Sequence, residues 1–183
     1  DYIEKPFDIT EVTQRISNML EIRLLHNQVR DQNPILEEKV RARTRELEET
    51  RQEAILRRGR AAEYRDNETG MHVIRMSRLS ANLAKKIGLT DDECQIMLQA
   101  SPMHDVGKID IRDNVLLKPD KLDDEKWINM KTHVDIGVSI LSGGDSKIIQ
   151  LAQEIAATHR EKYDEKGYPN GLKGKDISIA GRI

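Results

Sequence analysis

Pro102 to Lys108 reads Pro-Met-His-Asp-Val-Gly-Lys, which places the imidazole of His104 directly beside the carboxylate of Asp105. Adjacent residues on a helix point about 100° apart, yet both reach one metal ion when the end of the helix faces it. A carboxylate can also bridge two ions, which a neutral imidazole cannot do. The segment therefore indicates either a metal site or, because such pairs also arise by chance, an ordinary helix end.

The sequence around this segment has the periodicity of packed helices. Apolar residues recur at helical spacing over residues 71–87, and Gly88 predicts the end of that helix. Further helical stretches cover 91–104, 123–141 and 147–158, whereas 160–175 is typical of a loop. No alternation of strands and helices is visible, and aromatic residues are scarce. The sequence therefore predicts an all-α catalytic domain.

Histidine is the most informative residue type in the chain. Four of the five histidines lie beyond residue 61, roughly one in each predicted helix: His72, His104, His133 and His159. His26 receives no role. Glu68 lies four residues before His72, so the two share a helix face. Imidazole and carboxylate ligands suit iron, manganese, zinc or cobalt, although spacing alone leaves a metal site and ordinary helices as alternatives.

The stretch from residue 21 to residue 60 is rich in Glu, Arg, Gln and Leu and predicts a long helix. Pro34 predicts a break or kink, because proline lacks a backbone N–H. Beyond it, apolar residues recur at four and then seven residues: Leu36, Val40, Leu47, Ala54 and Ala61. This thin stripe favours a coiled-coil signalling helix that forms a homodimer through residues 36–61. The alternative is a solvated helix packed on its own domain.

Composition argues against several classes of partner. The 183 residues carry a formal net charge of -2, which gives no general attraction to a nucleic-acid polymer or an anionic membrane. No apolar run reaches the roughly 18 residues needed to span a membrane. Cys94 is the single cysteine, so no intrachain disulfide forms, and a reducing, cytoplasmic location is expected.

Longer motifs carry a family resemblance. Residues 64–72 read Tyr-Arg-Asp-Asn-Glu-Thr-Gly-Met-His, residues 130–137 read Met-Lys-Thr-His-Val-Asp-Ile-Gly, and residues 167–169 read Gly-Tyr-Pro. In order and separation, these motifs and the His-Asp segment resemble the HD-GYP family over about residues 60–183. The resemblance implies an HD-domain helical bundle that hydrolyses cyclic di-GMP to the linear dinucleotide or GMP. It also implies two or three metal ions, often iron or manganese.

The resemblance implies a role for each matching residue. The implied metal ligands are His72, His104, Asp105, His133 and His159, with Glu68 at a position that can serve a third ion. The first three match one ion, and Asp105 would bridge to a second ion, where the last two histidines match.

The resemblance also implies how substrate is held. Lys108 matches a lysine that contacts the substrate phosphate, and it joins Asp105 as a predicted catalytic residue. Gly167, Tyr168 and Pro169 match the signature loop, in which the tyrosine contacts substrate.

Arg160 departs from the family pattern, since it stands where a second successive histidine supplies a ligand. A guanidinium is always protonated and cannot bind a metal ion, so two ions are expected and a third is not. Arg160 is available to bind a phosphate or to pair with Glu68 instead.

Other departures lie close to the expected site. Glu165 stands where a small residue is usual, and Asp110 and Arg112 replace a glycine and a proline. The family's last ligand for the first ion, an aspartate, is expected beyond Ile183, so the chain is expected to be a fragment.

The chain is expected to divide into three parts. Residues 1–20, with a Lys-Pro turn at 5–6, resemble the C-terminal end of a response-regulator receiver; residues 21–60 form the signalling helix, and residues 61–183 form an incomplete HD-GYP domain. By analogy, this order implies an upstream sensor kinase and a signal relayed along the helix. Proteins of the diguanylate cyclase type are further implied partners.

Three functions compete at this point. The first is metal-dependent hydrolysis of cyclic di-GMP. The second is a degenerate HD-GYP module that binds nucleotide or partner proteins, which Arg160 favours. The third is an HD-type phosphohydrolase of mononucleotides, and the Gly-Tyr-Pro motif at 167–169 argues against it.

Overall fold

Helices make up the fold of the computed structural model, which describes residues 8–66 and 71–183. In chain order the helices are α1 (Ile9–Glu63), α2 (Met71–Lys86), α3 (Asp91–Ala100), α4 (Asp113–Leu116), α5 (Asp124–Lys131), α6 (His133–Leu141), α7 (Lys147–Thr158) and α8 (Ile179–Arg182). Short 3-10 helices lie at Tyr64–Asp66, Ser101–Met103, Val106–Asp110 and Gly174–Asp176. These two described ranges contain no β-strand, which confirms the predicted all-α class. Within them, no helix combines the length and apolarity that crossing a membrane requires.

The chain divides into two compact units, Asp1–Thr50 and Arg51–Ile183. In the first unit, the Asp8 carboxylate accepts from the Thr10 backbone N–H at 2.8 Å and so caps α1. The prediction at Pro34 was a break or a kink; the helix continues through this residue, so a break is wrong. Proline removes a single backbone donor, and water reaches the carbonyl this leaves because the helix surface around it is exposed. The predicted Lys-Pro turn at 5–6 lies outside the described residues.

The core of the second unit is aliphatic, as the scarcity of aromatic residues requires. Its buried members are Ala84, Cys94, Met97, Ala100, Met103, Leu141, Ile148, Ala152, Ile155 and Ala156. Ile55 of α1 packs against this cluster, and Gly59 is buried so closely on Pro102 that a Cβ would clash with its carbonyl. These contacts explain why the second compact unit begins at Arg51.

Two of the predicted helices differ from their periodicity: one ends early and the other is interrupted. The stretch 91–104 is helical to Ala100 and then tightens into a 3-10 turn that contains Pro102. The stretch 123–141 is two helices, α5 and α6, which meet at Thr132. The Thr132 hydroxyl donates to the Asn129 carbonyl at 2.7 Å, so a side chain takes a carbonyl that a continuous helix would use for its own ladder.

Glycine brings the His-Asp segment against α6. Gly107, in the 3-10 helix Val106–Asp110, lies so close to the His133 carbonyl and the Gly137 backbone N that no Cβ could fit. The two backbones therefore touch directly, and residues on either side of the contact face each other. This approach fixes the distance between Asp105 and His133.

Candidate metal centre

Asp105 is the centre of a buried polar cluster, with 6% of its surface exposed. His104 Nε2 lies 3.0 Å from Asp105 Oδ2. His159 Nε2 and His133 Nε2 lie 3.2 Å and 3.4 Å from Asp105 Oδ1. The last two imidazole nitrogens are 3.4 Å from each other. Three rings from separate segments thus converge on one carboxylate.

Each of the three rings is held by a backbone carbonyl. Its Nδ1 bonds to the carbonyl oxygen three residues earlier, at 3.0 Å for His104, 2.6 Å for His133 and 3.0 Å for His159. A carbonyl only accepts, so the proton of the neutral ring must be on Nδ1, and Nε2 is left with a bare lone pair. Three lone pairs and a carboxylate would repel one another without a cation between them. The residues present therefore fit a metal ion.

The local sequence explains how the rings reach these carbonyls. His104 directly follows the 3-10 turn Ser101–Met103, His159 directly follows α7, and His133 begins α6, with one residue between it and the end of α5. Carbonyls near the end of a helix have spare capacity to accept a side-chain donor. Each imidazole bonds to one of them, and the bond turns Nε2 toward Asp105.

Asp105, His133 and His159 form the tightest ligand group among the described residues, with all ligand atoms within 4.8 Å of one another. A carboxylate with two imidazoles forms a candidate site for a divalent metal ion. His104 approaches the other carboxylate oxygen, Oδ2, so Asp105 presents one oxygen to each side. This is the geometry a bridging carboxylate would need.

The other two predicted ligands are His72 and Glu68. His72, in the first turn of α2, lines the same cavity of about 640 Å³ as His104 and Asp105, but it is outside the group of three. Glu68 lies outside the described residues. The cavity volume falls within the range of small-molecule sites.

The charges around Asp105 keep it ionised. Burial alone would raise the pKa of Asp105, but its contacts with the His104 and His159 imidazoles and the positive charge of Lys108 outweigh burial and hold that pKa well below its usual range. Lys108 Nζ is 3.1 Å from Asp105 Oδ2. Burial lowers the pKa of His133, which favours its neutral form. A proton and a metal ion would therefore compete for the same ring nitrogens, and burial favours the metal.

The signature loop lies beside the cluster and does not line the cavity. The Tyr168 ring is 6.2 Å from the His133 ring and 6.0 Å from the Trp127 ring. Burial raises the pKa of Tyr168, so its hydroxyl stays a donor. The Tyr168–Pro169 peptide is cis, and Gly167 packs on the backbone of Glu161 with no room for a Cβ.

Glu161 organises this loop and was missed by the sequence analysis. Its buried carboxylate accepts from the backbone N–H groups of Asn170 at 2.8 Å and Leu172 at 2.9 Å. Its only signal in the sequence was its place directly after His159 and Arg160 in the family motif, because both of its partners are backbone groups nine and eleven residues away. Glu165, flagged in the sequence, has a φ of 68°, in the left-handed region that a small residue would adopt more easily.

Arg65 was also missed. Its guanidinium donates to the carbonyls of Ile109 and Ile111, the latter at 2.9 Å, and pairs with Asp113 at 2.7 Å. These bonds hold the segment that follows Lys108. The only signal available was its place within the resembling motif at 64–72.

Comparisons with known proteins agree with this geometry. Residues 23–183 match the HD domain family. The cyclic di-GMP phosphodiesterase response regulator RpfG of Xanthomonas campestris pv. campestris is 40% identical over 100% of this chain and 48% of its own length. The 3'3'-cGAMP-specific phosphodiesterase 2 of Vibrio cholerae is 47% identical over 75% of this chain and 26% of its own length. A cyclic di-GMP phosphodiesterase of Thermotoga maritima is 36% identical over 100% of this chain and 52% of its own length.

The chain spans about half, or less, of the length of these relatives. Within that span the family match covers the convergent histidines, the His-Asp segment and the signature loop. The resemblance inferred from the motifs is confirmed, and the chain belongs to the HD domain family.

Proposed function

We propose that this protein hydrolyses cyclic di-GMP in a metal-dependent reaction. One observation carries the proposal: the Nε2 atoms of three histidines converge on the Asp105 carboxylate at 3.0, 3.2 and 3.4 Å, beside a cavity of about 640 Å³. The names of the relatives support a cyclic dinucleotide as substrate.

The proposed cofactor is a pair of divalent ions, iron or manganese. His72, His104 and Asp105 would hold one ion, and Asp105, His133 and His159 the other. When bound, such ions supply a hydroxide near neutral pH and stabilise charge on the phosphodiester oxygens. Asp105 would be shared by the two ions, because His104 approaches one of its carboxylate oxygens and His159 approaches the other.

The other predicted site residues bind and orient substrate. Lys108 is buried next to Asp105, so its ammonium is placed to hold a phosphate oxygen at the cluster. Tyr168, fixed by its backbone N–H donating to the Arg160 carbonyl at 3.2 Å, orients the nucleotide together with Gly167 and Pro169. A third ion is not part of the proposal, since Arg160 lacks a ligand atom.

The surrounding organisation is proposed on the same basis. Residues 1–20 are the end of a receiver domain addressed by a sensor kinase, residues 21–60 are the signalling helix, and residues 61–183 are the HD-GYP domain. Leu36, Val40 and Leu47 of α1 are 60%, 56% and 73% exposed, which supports a homodimer through residues 36–61. Proteins of the diguanylate cyclase type are proposed partners, and the cytoplasm the proposed location.

Turnover tests the proposal. The protein, purified anaerobically with Mn²⁺ or Fe²⁺, is assayed against cyclic di-GMP, 3'3'-cGAMP and a mononucleotide, and products are separated by chromatography. We expect cyclic di-GMP to be cleaved, with a loss of at least about a hundredfold in Asp105→Asn. Asp135→Asn, an exposed carboxylate on α6, is the matched control and keeps activity.

The same assay separates the competing functions. Binding of cyclic di-GMP without turnover in the metal-loaded protein would favour the degenerate module, for which Arg160 is the observation in favour. Turnover of the mononucleotide alone would contradict the proposal and support a general HD-type phosphohydrolase.

A further inference from the structure

Arg160 follows the candidate ligand His159 directly and lines the same cavity as Asp105 and Lys108. Its Nη2 lies 3.6 Å from Asp105 Oδ2, the oxygen that Lys108 Nζ approaches to 3.1 Å. Two cations thus flank one carboxylate oxygen. Because both lie within 3.6 Å of the same atom, they are close enough to hold two oxygens of one phosphate.

The charges at this edge of the cavity do not balance. Asp105 carries one negative charge against the positive charges of Lys108 and Arg160, and its oxygens also face the imidazoles. Glu161 adds a second negative charge to the cavity lining and Arg182 adds a third positive charge, so the lining side chains carry one excess positive charge. The excess positive charge favours an anion in the cavity, and bound metal ions would increase it.

The guanidinium of Arg160 retains unused donors. Its Nε is buried with no hydrogen-bond partner among the described residues. Its contact with Asp105, at 3.6 Å, is longer than a hydrogen bond. The side chain as a whole is 40% exposed. A planar group with five N–H donors, poorly satisfied and open to a cavity, is suited to take two oxygens of a phosphate at once.

We propose that Arg160 is a substrate-binding residue that grips the scissile phosphodiester of the cyclic dinucleotide together with Lys108. The inference rests on the proposed function for the identity of the ligand. Arg160 then supplies a fixed positive charge at the phosphate. It takes this role because a guanidinium cannot bind a metal ion. The ligand chemistry is a phosphate diester, and the experiment separates it from free phosphate.

The test compares Arg160→Met and Arg160→Lys with the protein itself. Arg75→Met, an exposed arginine on α2, is the matched control. Cyclic di-GMP and inorganic phosphate are titrated separately by calorimetry into chelator-treated protein, in which metal-dependent turnover is suppressed. Melting temperatures check the fold, and metal per chain is measured after reloading.

We expect Arg160→Met to weaken cyclic di-GMP binding roughly ten- to a hundredfold, the range for a charge-assisted bidentate contact. Arg160→Lys recovers part of the loss, because lysine restores the positive charge but cannot donate two parallel hydrogen bonds to the phosphate. Metal per chain and the melting temperature stay unchanged, and Arg75→Met binds normally.

Three results would overturn the inference. These are unchanged cyclic di-GMP binding in Arg160→Met, a loss confined to inorganic phosphate, and extra bound metal in the variant, which would make Arg160 a block on a metal position. The inference and the proposed function fail separately. Weakened binding in a protein without turnover leaves the inference standing, and turnover unaffected by Arg160→Met leaves the function standing.

Discussion

His104, His133 and His159 are oriented by one device, a backbone carbonyl three residues earlier in a last helical turn. The bond gives a carbonyl near a helix end a side-chain donor and fixes the tautomer of the ring. A ring held at both nitrogens loses little further freedom when it binds an ion. Stability of the helix ends and readiness for metal binding are therefore coupled at these residues.

Burial of His133 gives a prediction about pH. Its pKa is lowered from the ordinary value of 6.5, so its neutral, metal-binding form persists below that pH. The pKa of Asp105 is also held low, so this ligand stays charged across the same range. We expect metal per chain, after dialysis between pH 5 and 8, to stay constant down to about pH 6.5 and to fall only below it. Loss of metal beginning between pH 8 and 7 would contradict this.

Glu161 gives a second prediction at this scale. Replacing it with alanine removes two bonds to the backbone of the signature loop. We expect Glu161→Ala to stay folded with its metal content intact but to lose roughly tenfold in kcat/KM, because Tyr168 is no longer positioned. Steady-state kinetics and metal analysis measure the two effects. Glu165→Ala, in the same loop but exposed, is the control, and an equal loss there would contradict a specific role for Glu161.

The residues of the candidate site were largely predictable, and their supports were not. The motifs named His104, Asp105, His133 and His159, and the structure brings these four together. Their alignment depends on backbone carbonyls, which every residue possesses, so no side-chain pattern could reveal it. Glu161 escaped for the same reason, since it binds only backbone N–H groups.

Among the elements, the junction between α5 and α6 differs most from the prediction. Apolar periodicity runs through residues 123–141 without interruption, so a single helix was the natural prediction. The chain breaks at Thr132 because side chains of Thr132 and His133 take the Asn129 and Met130 carbonyls, at 2.7 and 2.6 Å. Periodicity shows which face of a helix is buried, but it gives no information about side-chain hydrogen bonds to backbone carbonyls. The break is also what aims His133 at Asp105.

Packing of the 3-10 helix Val106–Asp110 on α6 predicts an asymmetry between two glycines. A Cβ on Gly107 would clash with the His133 carbonyl, whereas a Cβ on Gly137 would meet ordinary contacts at 3.5 and 3.6 Å. We expect Gly107→Ala to destabilise the protein by roughly 1–3 kcal/mol and to reduce bound metal. Gly137→Ala should be neutral or slightly stabilising, because alanine favours helix. Urea denaturation measures both, and equal stability of the two variants would contradict the packing argument.

At the scale of the whole molecule, the exposed apolar stripe of α1 predicts association. Leu36, Val40 and Leu47 are more than half exposed, which costs free energy unless a partner helix covers them. We expect a dimer by light scattering at micromolar concentration, and monomers for the double variant Val40→Glu, Leu47→Glu. Arg45→Glu changes a charge off the stripe and should remain dimeric. A monomeric starting protein would contradict the prediction.

Family membership followed from the order of the motifs along the chain, whereas the extent of the compact unit did not. Residues 51–60 read as part of a solvated helix, yet Ile55 and Gly59 pack into the second unit. A single apolar residue and a glycine in a charged stretch are too weak a pattern to predict packing against the second unit. Tertiary packing, which sequence periodicity does not encode, decides where this compact unit begins.

The central claim is that Asp105, His133 and His159 hold a metal ion. Metal analysis of anaerobically purified protein tests it most directly, with His159→Ala beside the unchanged protein and His26→Ala, an exposed histidine of α1, as the control. We predict about two divalent ions per chain in the protein and in the control, and at least one fewer in His159→Ala. No bound metal in the unchanged protein, or an undiminished metal content in His159→Ala, would contradict the account.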